Sequence, residues 1–114
     1  GGVLIEFVRQ NNDLPSPFIR ASVSPRYHHL MFRTESYDAE LQRLSARGCE
    51  AIYTARLPSG VRCAMVDAGH ILGGMIEVMD QPPELIGLFE RMLTAHNAWD
   101  GVTDPVRTLQ DLAR

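Results

Sequence analysis

The chain reads as an α+β protein. Three observations predict that class. From residue 27 onward the runs follow the order strand, helix, strand, strand, strand, and the hydrophobic period switches from two to 3.6 and back. A second helical run follows the Pro82-Pro83 break. The 114 residues suffice for one small domain with one core.

The first run, residues 3–8 (Val-Leu-Ile-Glu-Phe-Val), is β-rich, and alternation sets Glu6 opposite Ile5 and Phe7. Residues 10–26 hold two asparagines, three prolines and three serines. That composition predicts a linker, with a short helix near Phe18. Residues 27–34 (Tyr-His-His-Leu-Met-Phe-Arg-Thr) read as a strand. His28, Leu30, Phe32 and Thr34 share one face, and Tyr27, His29, Met31 and Arg33 the other. Leu30 and Phe32 make the first face the one expected to pack on a helix, with His28 on it.

Residues 36–47 predict that helix. Ser36 is the N-cap candidate, Asp38 and Glu40 suit the positive end of the dipole, and Gly48 is the stop. Tyr37, Leu41 and Leu44 recur at helical spacing and form the expected buried stripe. Residues 50–57 and 61–67 predict a hairpin across Pro58-Ser59-Gly60, and residues 68–74 a loop holding His70. Residues 75–79 predict the last strand, with Glu77 central between Met75 and Met79. Residues 84–99 predict a helix whose apolar side is Leu85, Leu88, Phe89 and Met92, followed by a tail with a short terminal helix.

Composition excludes some functions. The net charge of −3 gives no electrostatic case for nucleic acid or an anionic membrane. There is no lysine, so no side chain can form a Schiff base. No apolar run reaches the ~18 residues that span a bilayer. Cys49 and Cys63 form no CxxC pair and no disulfide framework, which suits two thiols in a reducing cytoplasm. The chain starts Gly-Gly rather than Met, and this predicts that residues precede Gly1.

Glu6, His29 and Glu77 are each central in a strand, on the face away from the helix-packing set. A buried carboxylate costs several kcal/mol unless paired or coordinated. Two of them beside an imidazole form a set that a divalent metal compensates. The pattern alone also admits a bland reading, with His29 a hydrogen-bonded core histidine and both carboxylates facing solvent on a half-wet sheet. Arg33 is a candidate for holding an anionic substrate group, or else a solvated arginine. Met31, Met65, Met75 and Met79 are expected to fill a cavity wall or core.

Three segments, Val3-Leu4-Ile5-Glu6-Phe7, His28-His29-Leu30-Met31-Phe32 and Gly73-Gly74-Met75-Ile76-Glu77-Val78, together resemble the vicinal oxygen chelate superfamily. Glyoxalase I, methylmalonyl-CoA epimerase and bleomycin-resistance proteins belong to that superfamily. Asn97 to Gly101 and Asp104 to Arg107 also look like the tail of glyoxalase-like members. The resemblance implies a βαβββ module over residues 27–80. It makes residues 1–26 the last strand of a preceding module plus linker, and residues 81–114 a C-terminal helix and tail. By position it implies His29, Glu77 and Glu6 as metal ligands, although epimerases carry Gln at the Glu6 position.

The strand that supplies the fourth ligand has no match in the chain. A homodimer, or pairing with a missing N-terminal module, is therefore expected. The function implied is that of a cytoplasmic metal-dependent lyase or isomerase acting on a small oxygenated substrate. It would work through an enolate-like intermediate, with Glu77 or Glu6 as general base; Zn, Ni, Mn, Co and Fe are not distinguished. Two alternatives stay open: a ligand-sequestering module without chemistry, and an extradiol-type dioxygenase, for which one suitable histidine is visible.

Overall fold

A computed structural model describes residues 3–20 and 27–113. The elements are α1 (Pro17–Arg20), β1 (His29–Thr34), α2 (Tyr37–Ser45), β2 (Ala51–Arg56), β3 (Arg62–Asp67), α3 (Gly69–Leu72), β4 (Met75–Asp80), α4 (Pro83–Asn97) and a closing 3₁₀ turn at Asp111–Ala113. The expected α+β class holds. Residues 21–26 of the expected linker lie outside the described residues. The chain divides into two compact units, Phe7–Gln81 and Gly1–Glu6 with Pro82–Arg114. Among the described residues no helix is long and apolar enough to cross a membrane.

The first unit is built on a mixed four-stranded sheet in the order β1-β4-β3-β2. β1 runs parallel to β4, while β4–β3 and β3–β2 are antiparallel. Register sorts the side chains onto two faces. Leu30 pairs with Ile76 and Phe32 with Val78, and Ala64 and Val66 meet the same two β4 residues from β3. On the opposite face His29 pairs with Met75, Met31 and Met65 flank Glu77, and Arg33 and Cys63 flank Met79.

α2 covers the first face. Tyr37 and Leu44 are buried with Cys49, Ala64, Val66, Ala68 and Val78, and Leu41 and Ile76 pack at the margin. Full burial of each such aliphatic side chain contributes about 1.5–3 kcal/mol. Ser36 stands at the N-cap, but its side chain makes no capping bond; its own N–H donates to Thr34 Oγ1 at 3.0 Å. The helix closes with Cys49 N–H donating to the Leu44 carbonyl at 3.1 Å, around Gly48 at φ +77°. That left-handed conformation is the one glycine adopts without Cβ strain.

Arg62 fastens the far end of the sheet. Its guanidinium makes two bonds to Asp80, from Nε (2.9 Å) and Nη2 (3.0 Å), and one to Asp38 (2.9 Å). It also stacks over the Tyr37 ring at 4.4 Å. The first residue of β3, the last of β4 and the first turn of α2 are thereby joined. The bidentate bond holds the Asp80 carboxyl below its usual range.

Two expectations are corrected. Residues 3–10 form no strand, and Val3, Ile5 and Phe7 are 84%, 77% and 94% exposed. Alternation states which way side chains would point in a strand; it supplies no neighbour for the backbone bonds, and a lone strand is not stable. Leu30 and Phe32 do lie on the helix-bearing face, yet they are 48% and 51% exposed. α2 lies over the middle of the sheet and leaves edge strand β1 uncovered.

In the second unit, α4 spans nearly the expected residues, with Pro83 at its first turn. Leu85, Leu88, Phe89 and Met92 are half-buried, as the periodicity predicts, and α4 packs against the 3₁₀ turn.

Candidate functional site

β1 and β4 are neighbours, and their parallel register sets His29 diagonally beside Glu77 on the face away from α2. Nε2 of His29 lies 3.3 Å from Oε2 of Glu77, with the two side chains 9% and 13% exposed. Glu77 is therefore not a solvent-facing carboxylate. Met75 and Met65 are buried beside it, so the face is packed around Glu77, while Arg33 and Tyr53 on the same face are exposed.

His28 precedes β1, and its ring does not join the packing of α2. Its Nδ1 lies 2.8 Å from Nδ1 of His29, and its Nε2 lies 3.3 Å from the Pro17 carbonyl. The Phe18 ring stacks on His28 at 4.7 Å between centroids. Gly74 makes this junction possible. A Cβ there would stand 2.5 Å from Cε1 of Tyr27 and 3.0 Å from the His28 carbonyl, closer than such contacts allow. That carbonyl accepts the Met75 N–H at 2.9 Å, which locks His28 to the start of β4.

The row Glu77–Met65–Tyr53 crosses three strands of this face. Tyr53 also lines a cavity of about 160 Å³ with Ile52, Pro15, Ser16 and Pro17. The Pro15–Pro17 segment thus borders both the cavity and the histidine pair. No sequence periodicity announces this segment; the proline pair around Ser16 is its one visible signal.

The donor set has a chemical consequence. The contacts run from the Glu77 carboxylate through two imidazoles to the Pro17 carbonyl. Both ends only accept hydrogen bonds. Two neutral imidazoles supply two N–H groups for three contacts, so one contact always sets lone pair against lone pair. A cation, either a further proton or a metal ion, between Nε2 of His29 and the carboxylate removes that repulsion. An imidazole nitrogen and a carboxylate oxygen are suitable ligands for a divalent ion, and they fit as part of a site.

The other expected residues are placed as follows. Arg33 is exposed on β1, on the same face as His29 and Met31. Glu6 is exposed and belongs to the second unit. Among the described residues no group of three or more His, Cys, Asp and Glu is arranged to hold a metal ion. Cys63, buried on the Glu77 face, has its thiol pushed up by burial and then by the Glu77 charge, which makes it an inert neutral group.

Comparison with protein-family models, with curated proteins and with solved structures returned no match.

Proposed function

We propose that the chain carries one half of a metal site in a lyase or isomerase of the glyoxalase and epimerase type, with His29 and Glu77 as its contribution. The observation that supports this most is the juxtaposition of Nε2 and Oε2 at 3.3 Å, with both side chains about nine-tenths buried. The order of β1, α2, β2, β3 and β4, with β1 parallel to β4, fits a βαβββ module of the vicinal oxygen chelate kind.

A divalent ion held by His29 and Glu77 would supply Lewis acidity toward a small oxygenated substrate. The chain's own part is fourfold. His29 presents a nitrogen lone pair, and the buried methionines around Glu77 keep water from the carboxylate. A carboxylate oxygen of Glu77 takes the proton from the carbon next to the substrate carbonyl. Arg33, on the same face, would meet an anionic group of the substrate. The remaining ligands come from a second copy of the chain or from a preceding module.

Metal analysis of the purified protein, read beside its mass in solution, tests this. A metal-loaded dimer whose metal is lost in His29→Ala is the expected result. A metal-free monomer that takes up none of zinc, nickel, manganese, cobalt or ferrous ion overturns it.

A second reading is a ligand-sequestering module, although the pocket of Pro15, Ser16, Pro17, Ile52 and Tyr53, at about 160 Å³, is smaller than an ordinary small-molecule site. Ligand binding that persists under chelation distinguishes it. The dioxygenase reading gains nothing from His28, since both ring nitrogens of that residue are engaged.

A further inference from the structure

We infer that His28 is a positioning residue, and that with the Pro17 carbonyl it selects which nitrogen of His29 offers its lone pair to whatever cation lies between that ring and Glu77. This rests on the reading of His29 and Glu77 as a cation site.

With a cation held between Nε2 of His29 and Glu77, the selection follows from donors and acceptors; without one, the carboxylate competes for a hydrogen on Nε2. The Pro17 carbonyl can only accept, so Nε2 of His28, 3.3 Å away, carries the hydrogen. A neutral His28 then has its lone pair on Nδ1. That atom lies 2.8 Å from Nδ1 of His29, which must donate. A neutral His29 that donates from Nδ1 keeps its lone pair on Nε2, the atom facing Glu77. One backbone carbonyl, two rings away, thus favours the tautomer that a ligand or base requires.

His28 is held for this task on three sides. Phe18 stacks on its ring, its carbonyl is bonded to Met75, and Gly74 admits the Tyr27 ring beside it. The rings of His28 and His29 stand perpendicular, 5.0 Å between centroids, so an edge nitrogen of each meets the other.

A residue that merely fills space under Phe18 would tolerate leucine. A positioning residue needs an acceptor where Nδ1 stands, and asparagine places its Oδ1 at that reach. The experiment uses the full chain in three forms: unchanged, His28→Leu and His28→Asn. Each is titrated with zinc or nickel ion alone by calorimetry. His28→Leu is expected to weaken binding about 10- to 100-fold, and His28→Asn to recover most of it.

The second readout needs no metal. Nitrogen-15 NMR of the His29 ring is recorded in Glu77→Gln, whose amide N–H can meet Nε2, and in Glu77→Gln with His28→Leu. His29 is expected to carry its hydrogen on Nδ1 in the first and to lose that preference in the second. An unchanged tautomer in the double variant overturns the inference, as does undiminished metal affinity in His28→Leu. The expected tautomers without any metal binding would leave His28 its role and remove the metal reading instead.

Discussion

His29 and Glu77 face one another across the parallel strand pair of the sheet, Nε2 to Oε2 at 3.3 Å, each about nine-tenths buried. Truncating either side leaves the other polar group poorly solvated and poorly paired. His29→Ala should therefore destabilise the fold by about 2 kcal/mol in urea titration, besides removing divalent metal binding. Full retention of stability would mean that the two side chains do not interact in solution.

The Arg62–Asp80 bond makes stability depend on pH at the acid end. Asp80 has a lowered folded value because Arg62 bonds its charged form. Its contribution is complete above the ordinary aspartate range and fades as pH falls through the folded value. Asp80→Asn should cost about 1 kcal/mol near neutrality. Thermal melts of the two proteins from pH 7 downward should converge below the usual carboxylate range; parallel curves would contradict the assignment.

Gly74→Ala inserts a methyl against Tyr27 and the His28 carbonyl. The expected loss is about 1–3 kcal/mol, with a changed tyrosine signal in near-UV circular dichroism. A neutral outcome would place the Tyr27 ring elsewhere.

Leu44→Ala, within the core under α2, should cost about 2–4 kcal/mol. Leu30→Ser and Phe32→Ser, at half-exposed positions, should each cost less than about 1 kcal/mol. The contrast, read by denaturant midpoints, checks that α2 covers the middle strands and stops short of β1.

Cys63 should resist alkylation in the folded protein well above neutral pH, since burial and the Glu77 charge keep its thiol neutral. Rapid labelling by iodoacetamide, monitored by mass, would show that this face opens.

The sheet and its helices were legible because each strand and helix has a repeating pattern. Tyr37, Leu41 and Leu44 announce α2, and Pro58-Ser59-Gly60 announces the hairpin. The central place of Glu77 in β4 is legible, and so is the orientation it shares with His29, but His29 opens β1 instead of standing at its centre. Residues 3–8 were misread because alternation carries no information about a partner. Leu30 and Phe32 were placed on the correct face, but the reach of a nine-residue helix over four strands is set by packing, not by pattern. His28 stands one position before β1 begins, and its contacts with Pro17, Phe18 and the neighbouring His29 ring are not announced by alternation. The Pro17 carbonyl left no trace at all, since a main-chain atom has no sequence signature.

The parallel pairing of β1 with β4 has a kinetic consequence. Every other ladder joins strands close in sequence, whereas this one closes a loop of about fifty residues, and such closures come at a high entropic cost during folding. The imidazole and the carboxylate are therefore expected to meet late, after the hairpin has formed. A refolding chain would regain most of its circular dichroism before it regains any affinity for a cation.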